Sequence, residues 1–263
     1  MKHEILKMRG LRAIPLAVAL SLAGGTALAA EAINPDADAI LRAMSKFMAG
    51  TKAFSVNADI SNEIITQESQ KLQFNSSATA VLERPSRLHV ARQGGFVDAE
   101  VSYDGKNLTL YGKKVNAYVQ QALTGGIDDA INALEIGIGI NLPGSDLLTS
   151  DPYARLSSGI ISSGYYGTEI VGGIESHHLA FRTAKVDWQL WVKAGDEPLP
   201  MKYVITTKFL AGAPQYSVQF SNWNLKPAVN ASRFTFVAPK GAEKLERLAV
   251  DETGEITIQK GSK

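Results

Sequence analysis

The sequence predicts an α+β fold in which a long antiparallel sheet turns one apolar face toward a small number of helices. Three observations carry this. In the second half, the segments Ser176–Arg182, Val186–Val192, Met201–Ile205 and Tyr216–Phe220 alternate apolar and polar residues. Side chains alternate faces along a strand, so His177, Leu179 and Phe181 point one way and His178, Ala180 and Arg182 the other. The first half repeats that period, in Phe54-Val56-Ala58-Ile60 and Leu72-Phe74 with Ala78-Ala80-Leu82. Two stretches, residues 36–49 and residues 124–158, switch to helical spacing and are the natural cover for the apolar face.

In chain order, the helix over 36–49 has Asn34 or Asp36 as its cap, Pro35 in its first turn and Gly50 as its stop. Ile40, Met44, Phe47 and Met48 form its apolar stripe. Strands follow, and Arg84-Pro85 breaks the second because proline donates nothing to a ladder. Leu88-His89-Val90, a turn at Gly94-Gly95, and Val101-Ser102-Tyr103 continue the run. Asp104-Gly105 between alternating segments is the strongest hairpin signal in the chain. Leu108, Leu110 and Tyr118-Val119 finish this first region. In the insert, Ile127, Ile131, Leu134 and Ile138 recur at helical spacing, Gly137 and Gly139 weaken the helix end, and Pro143-Gly144 closes it. A second short helix is expected from Asp146 to Ser157, interrupted or kinked by Pro152. From Asp251 the chain is polar and is expected to fray.

The composition, 45% hydrophobic and 20% charged over 263 residues, allows one large or two small globular domains. Lys2, Lys7, Arg9 and Arg12 precede the apolar run Ala13–Leu20, and Ala27-Leu28-Ala29 follows: the pattern of a cleaved secretory signal peptide. The run is short of the roughly 20 apolar residues that span a bilayer. The expected organisation is a signal peptide over residues 1–29, one folded domain over 30–250 with a helical insert near 124–158, and a polar tail over 251–263. Four bases and one acid leave with the signal peptide, taking the net charge from +1 to −2. That balance does not suit nucleic acid or an anionic membrane surface as a partner. With no cysteine in the chain, neither a lipid anchor on cysteine nor a disulfide framework is available, and stability must come from a core.

Arg84-Pro85, then Tyr103-Asp104-Gly105-Lys106 with Leu108 and Tyr111, then Arg233-Phe234-Thr235-Phe236 with Pro239 and Gly241, resemble the periplasmic lipoprotein-carrier family LolA. The central stretch, His177–Phe181 with Val186–Trp191, is closer still to a LolA-like family of periplasmic proteins without assigned activity. The resemblance covers roughly residues 36–248. It implies a LolA-like open, curved antiparallel half-barrel with helices plugging the concave face, and in the carriers the cavity between them holds acyl chains. It also implies that Arg84 latches the lid helices. The longer insert and the extra strands near 160–175 depart from the carriers.

The residues themselves agree with a pocket lined by Ile40, Met44, Phe47, Ile131, Leu134, Leu179, Phe181, Trp188 and Leu190, suited to an aliphatic ligand. The competing reading is that these stripes make a solid core. His177 and His178 face opposite sides and cannot chelate one metal together, so no metal site is expected. Serines abound near Ser157, Ser158, Ser162 and Ser163, but the Gly-x-Ser-x-Gly elbow is absent. Trp191, on the mixed face, is either a contact for a partner protein or packed on its own neighbours. The expected function is therefore a non-enzymatic periplasmic carrier or binding protein, without cofactor, for a lipid or the acyl chains of a lipoprotein. The alternative is an envelope sensor that engages a membrane protein partner.

Overall fold

Asn34 ends an extended segment with its carboxamide oxygen accepting from the Ala37 backbone N–H at 3.0 Å, and Pro35 opens α1 (Pro35–Gly50). The structure, a computed structural model, describes residues 33–140 and 142–258; the expected signal peptide lies outside them. The buried stripe of α1 is Ala37, Leu41, Met44, Ser45 and Met48. Ile40 and Phe47 are only half-buried at its margins.

Six strands follow: β1 (Ala53–Ile65), β2 (Lys71–Glu83), β3 (Arg87–Gly94), β4 (Asp98–Tyr103), β5 (Asn107–Gly112) and β6 (Ala117–Ala122). The Asp104-Gly105 turn forms as the sequence predicts. Asp104 Oδ1 accepts from the backbone N–H groups of Lys106 and Asn107 at 2.9 and 2.8 Å, and Gly105 takes a φ of 88°. After the insert come β7 (Ile160–Val171), β8 (Ile174–Thr183), β9 (Val186–Lys193), β10 (Pro200–Thr207) and β11 (Gln215–Asn224). A two-residue strand, β12 (Glu243–Lys244), pairs in parallel with β6.

These strands make one 12-stranded sheet in the order β12-β6-β5-β4-β3-β2-β1-β11-β10-β9-β8-β7. Every pairing except β12 with β6 is antiparallel, and the two halves join where β1 meets β11. The sheet is curved and does not close, with β12 and β7 as its two edges, so the fold is an open half-barrel with helices against one face.

The insert is helical but more broken than periodicity predicts. α2 (Ile127–Asn132) widens into a π-helical turn over Ala133–Ile138, which stops at Gly139 with φ 79°. A 3₁₀ turn follows over Ser145–Leu148, then α3 (Pro152–Ser157). Pro152 interrupts the expected helix rather than kinking it: the 3₁₀ turn ends at Leu148 and the proline begins α3. Asp151 caps α3 by accepting from the Ala154 N–H at 3.0 Å, and a proline in the first turn loses no bond it would otherwise make.

The C-terminal segment also differs from expectation. The chain does not fray at Asp251 but turns back, and β13 (Ala249–Val250) pairs with β14 (Ile256–Thr257). Asp251 Oδ1 accepts from the N–H groups of Thr253 and Glu255, and Gly254 takes a φ of 87°. Ile256 and Leu248 are buried with Leu110 and Ala117 in a small second cluster. Two-residue strands are too short to show a period, which is why this stretch has no strand signal in the sequence.

Candidate ligand-binding face of the sheet

Strand register sorts the residues of the sheet into two faces. Phe54, Val56, Ala58 and Ile60 of β1 stand opposite Leu82, Ala80, Ala78 and Ser76 of β2. Leu88, Val90 and Arg92 of β3 continue that face, as do Val218 and Tyr216 of β11. On β8 and β9 it carries Leu179 and Phe181 with Leu190 and Trp188.

This apolar face divides into a covered part and a part-open strip. Met44 from α1, Ile131 from α2 and Leu134 beyond it join Leu179, Phe181, Trp188 and Leu190 in one fully buried cluster. Phe181 and Trp188 stack at 4.0 Å between centroids, and Tyr203 meets the Trp188 ring edge-on. Ile40 and Phe47 flank the cluster at half-burial. All nine residues singled out from sequence therefore come together where the helices meet the sheet.

The remainder of the face is different. Ala58, Ala78 and Ala80, with Val90, Val101 and Phe220, border the same cluster but stay half-buried. Three alanines side by side leave room that larger side chains would fill. The sequence pattern identifies these alanines as strand residues without showing that helices fail to cover them.

Beyond the alanines a polar band crosses the face. Arg92 Nε donates to Ser76 Oγ at 2.9 Å. Asn62 Nδ2 donates to the Glu252 carbonyl at 2.8 Å, which ties the turn between β13 and β14 to the sheet. Tyr216 faces the Phe74–Asn62 level of the neighbouring strands. Burial pushes its phenol up to about 12, with the nearby Arg92 guanidinium acting in the opposite direction. Alternation alone places these groups on the apolar face, but nothing in it says that they fall on successive levels of neighbouring strands.

Arg84 stands at the junction of sheet and helices. Its Nη2 donates to the Met48 carbonyl at 3.3 Å, in the last turn of α1. Burial lowers its pKa, and Asp128 of α2 acts in the opposite direction. The Arg84–Pro85 bond is cis, and the Pro85 carbonyl accepts from the Ile127 N–H at 2.9 Å. A guanidinium thus touches the end of one helix and lies within reach of the charge on another.

Among the described residues of the insert, one large apolar side chain stands exposed. Ile136, in the π-helical turn, is 85% exposed, although Leu134 two residues before it is buried.

The opposite face is polar. Two grooves of about 580 and 470 Å³ run along it over β11, β1, β2 and β3, sharing Asp59, Ser77 and Gln93. Further along, His178 stacks on Trp191 at 4.3 Å and faces Glu169 and Gln189 at 3.0 and 2.9 Å. Trp191 donates its indole N–H to Glu169 at 2.8 Å and is 7% exposed, so it packs on its own neighbours and offers little surface to a partner. His177, on the apolar face, lies 3.0 Å from the Tyr165 hydroxyl.

The family described as "Predicted periplasmic protein (DUF2092)" matches residues 37–247, which takes in α1 from its third residue, the 12-stranded sheet and the insert. The chain belongs to that family. Among its described residues, this DUF2092 protein has no helix long and apolar enough to cross a membrane. No protein of curated function matches the sequence. Among solved structures, an uncharacterised conserved protein from Thermus thermophilus is similar at 12% identity, over 80% of this chain and 98% of its own, with a TM-score of 0.47. The MucA/MucB complex of Pseudomonas aeruginosa matches at 15% identity over 77% of this chain, with a TM-score of 0.44, and the DUF2092 chain spans 62% of that relative. A LolA superfamily protein from Nitrosomonas europaea matches at 11% identity over 76% and 97% of the two chains, with a TM-score of 0.39.

Proposed function

We propose that this protein is a non-enzymatic periplasmic binding or carrier protein, exported by a cleaved signal peptide, for a lipid or the acyl chains of a lipoprotein. The observation that carries this reading is the part-open strip of Ala58, Ala78, Ala80, Val90 and Phe220, continuous with a helix-covered core. An apolar concavity beside elements of modest length is the usual setting for an aliphatic ligand. Each CH₂ buried there contributes about 0.8 kcal/mol, enough for micromolar binding of a long chain after ordering costs.

In this reading the insert is the lid. Gly137, Gly139 and the π-helical turn weaken it, and lids come from the less stable part of a fold. Arg84 holds it shut through α1. Extraction of the purified protein into organic solvent, followed by mass spectrometry, tests the reading: long-chain acyl species should co-purify. A protein that carries none, and takes up none when incubated with long-chain lipids, would not be a carrier.

A second reading, an envelope regulatory module engaging a membrane partner, is favoured by one feature. Phe209 and Leu210 at the β10–β11 turn are 68% and 49% exposed, and Gly212 of the same turn lies against Ile65 at the end of β1. Exposed apolar tips of this kind mark interaction sites.

A further inference from the structure

Most arginines paired on this protein's surface meet a carboxylate: Arg42 with Asp38, Arg87 with Glu83 and Arg182 with Asp187. Arg92 does not. It sits on the apolar face, level with Ala78 on one side and Ala99 on the other. Its Nε donates to Ser76, and among the described residues no acid forms an ion pair with its guanidinium. The turn between β13 and β14 lies over it: a Cβ on Gly254 would come within 3.2 Å of Arg92 Nη1. Arginine keeps its charge even when burial opposes it, as burial does here. A charge held among apolar groups is costly unless an anion and hydrogen bonds satisfy it.

The turn over Arg92 carries Asp251, Glu252 and Glu255, but among the described residues none of them forms an ion pair with it, and the polar groups on the sheet beside it are neutral. Ser76 offers a hydroxyl, and Tyr216 a phenol whose protonated form is favoured by burial. On the other side run Val90 and Leu88, then the covered core, so the polar band stands at the outer end of the alanine strip. From Arg92 to Leu88 the strand advances about 13 Å.

We propose that this band is the headgroup site of the hydrophobic ligand, and that the ligand is an acidic amphiphile whose carboxylate or phosphate pairs with Arg92 while its alkyl chain lies along Ala78, Ala80 and Val90. The inference rests on the hydrophobic-ligand reading above and narrows it from any aliphatic molecule to an anionic one. Bidentate pairing with a planar guanidinium fits either anion, and the Tyr216 hydroxyl adds a donor.

The test compares three ligands of equal chain length on the delipidated protein at neutral pH: palmitate, hexadecyl phosphate and hexadecanol. At least one acid should bind about tenfold or more tightly than the alcohol, the difference expected for a charge-assisted hydrogen bond in a dry site. The stronger of the two acids identifies the headgroup as carboxylate or phosphate. Arg92→Met should bring acid and alcohol to within about twofold, while Arg92→Lys, which keeps the charge but loses the fork, should retain part of the preference. If Arg92→Met does not fold, Tyr216→Phe in the same assay should narrow the ratio. Equal binding of acid and alcohol by the unmodified protein would overturn the headgroup site and leave the carrier reading standing. Failure of all three ligands to bind would overturn both.

Discussion

Arg84 occupies the point where β2 ends, α1 ends and α2 begins. It makes one hydrogen bond to the Met48 carbonyl and leaves its Nε buried without a partner among the described residues. Losing a hydrogen bond to a charged group costs about 1.5–3 kcal/mol, while removing a half-buried guanidinium relieves much of that cost. Arg84→Leu should therefore shift the denaturation midpoint only slightly and shorten ligand retention, measured as the rate at which a bound fluorescent fatty acid exchanges. Unchanged retention would reduce Arg84 to an ordinary strand-end residue. Its position is legible in sequence because Arg-Pro breaks a strand visibly. Arg92 is not, since one arginine among alternating residues looks like any exposed cation until register places it opposite Ala78 and Ala99. Trp191 shows the reverse: an aromatic on the polar face invites a partner, and the structure places His178 over it.

Individual elements are as legible as their local chemistry is strong. The cap at Asn34 and the proline after it fix the start of α1 without help from the rest of the fold. Periodicity predicts the stripe Ile40-Met44-Phe47-Met48, yet the helix is rotated so that Leu41 and Ala37 are buried and Ile40 lies at the margin. Packing against the sheet decides that rotation, and periodicity leaves it free by one position. The insert keeps Ile127, Ile131 and Leu134 inward but cannot hold a regular α-helix through Gly137 and Gly139, so it opens into a π-helical turn. That weakness gives a prediction at the scale of the element. Amides of residues 127–140 should exchange with deuterium well before those of 176–192, and an added fatty acid should slow the exchange of the insert. Equal protection of the two segments would mean the insert is fixed core with no lid function.

At the scale of the molecule, strand identity is legible from alternation, and so is the existence of two strand runs divided by helices. The join between them is not, because β1 pairs with β11 across more than half the chain and no local pattern encodes so distant a register. That join matters most for function: it brings Ala58, Ala78 and Ala80 beside Val218, Phe220 and Tyr216. The same curvature carries the two polar grooves on the opposite face, away from the apolar strip. The central claim is that the uncovered part of the apolar face receives a ligand. Filling it is the most direct test. Ala78→Phe should occupy the strip at less than the ~1–3 kcal/mol cost of overpacking a closed core. Titration of the folded variant with a long-chain fluorescent fatty acid should then show binding weakened about tenfold or more, while thermal stability holds or rises. Binding by Ala78→Phe as tight as that of the unmodified protein would contradict the account.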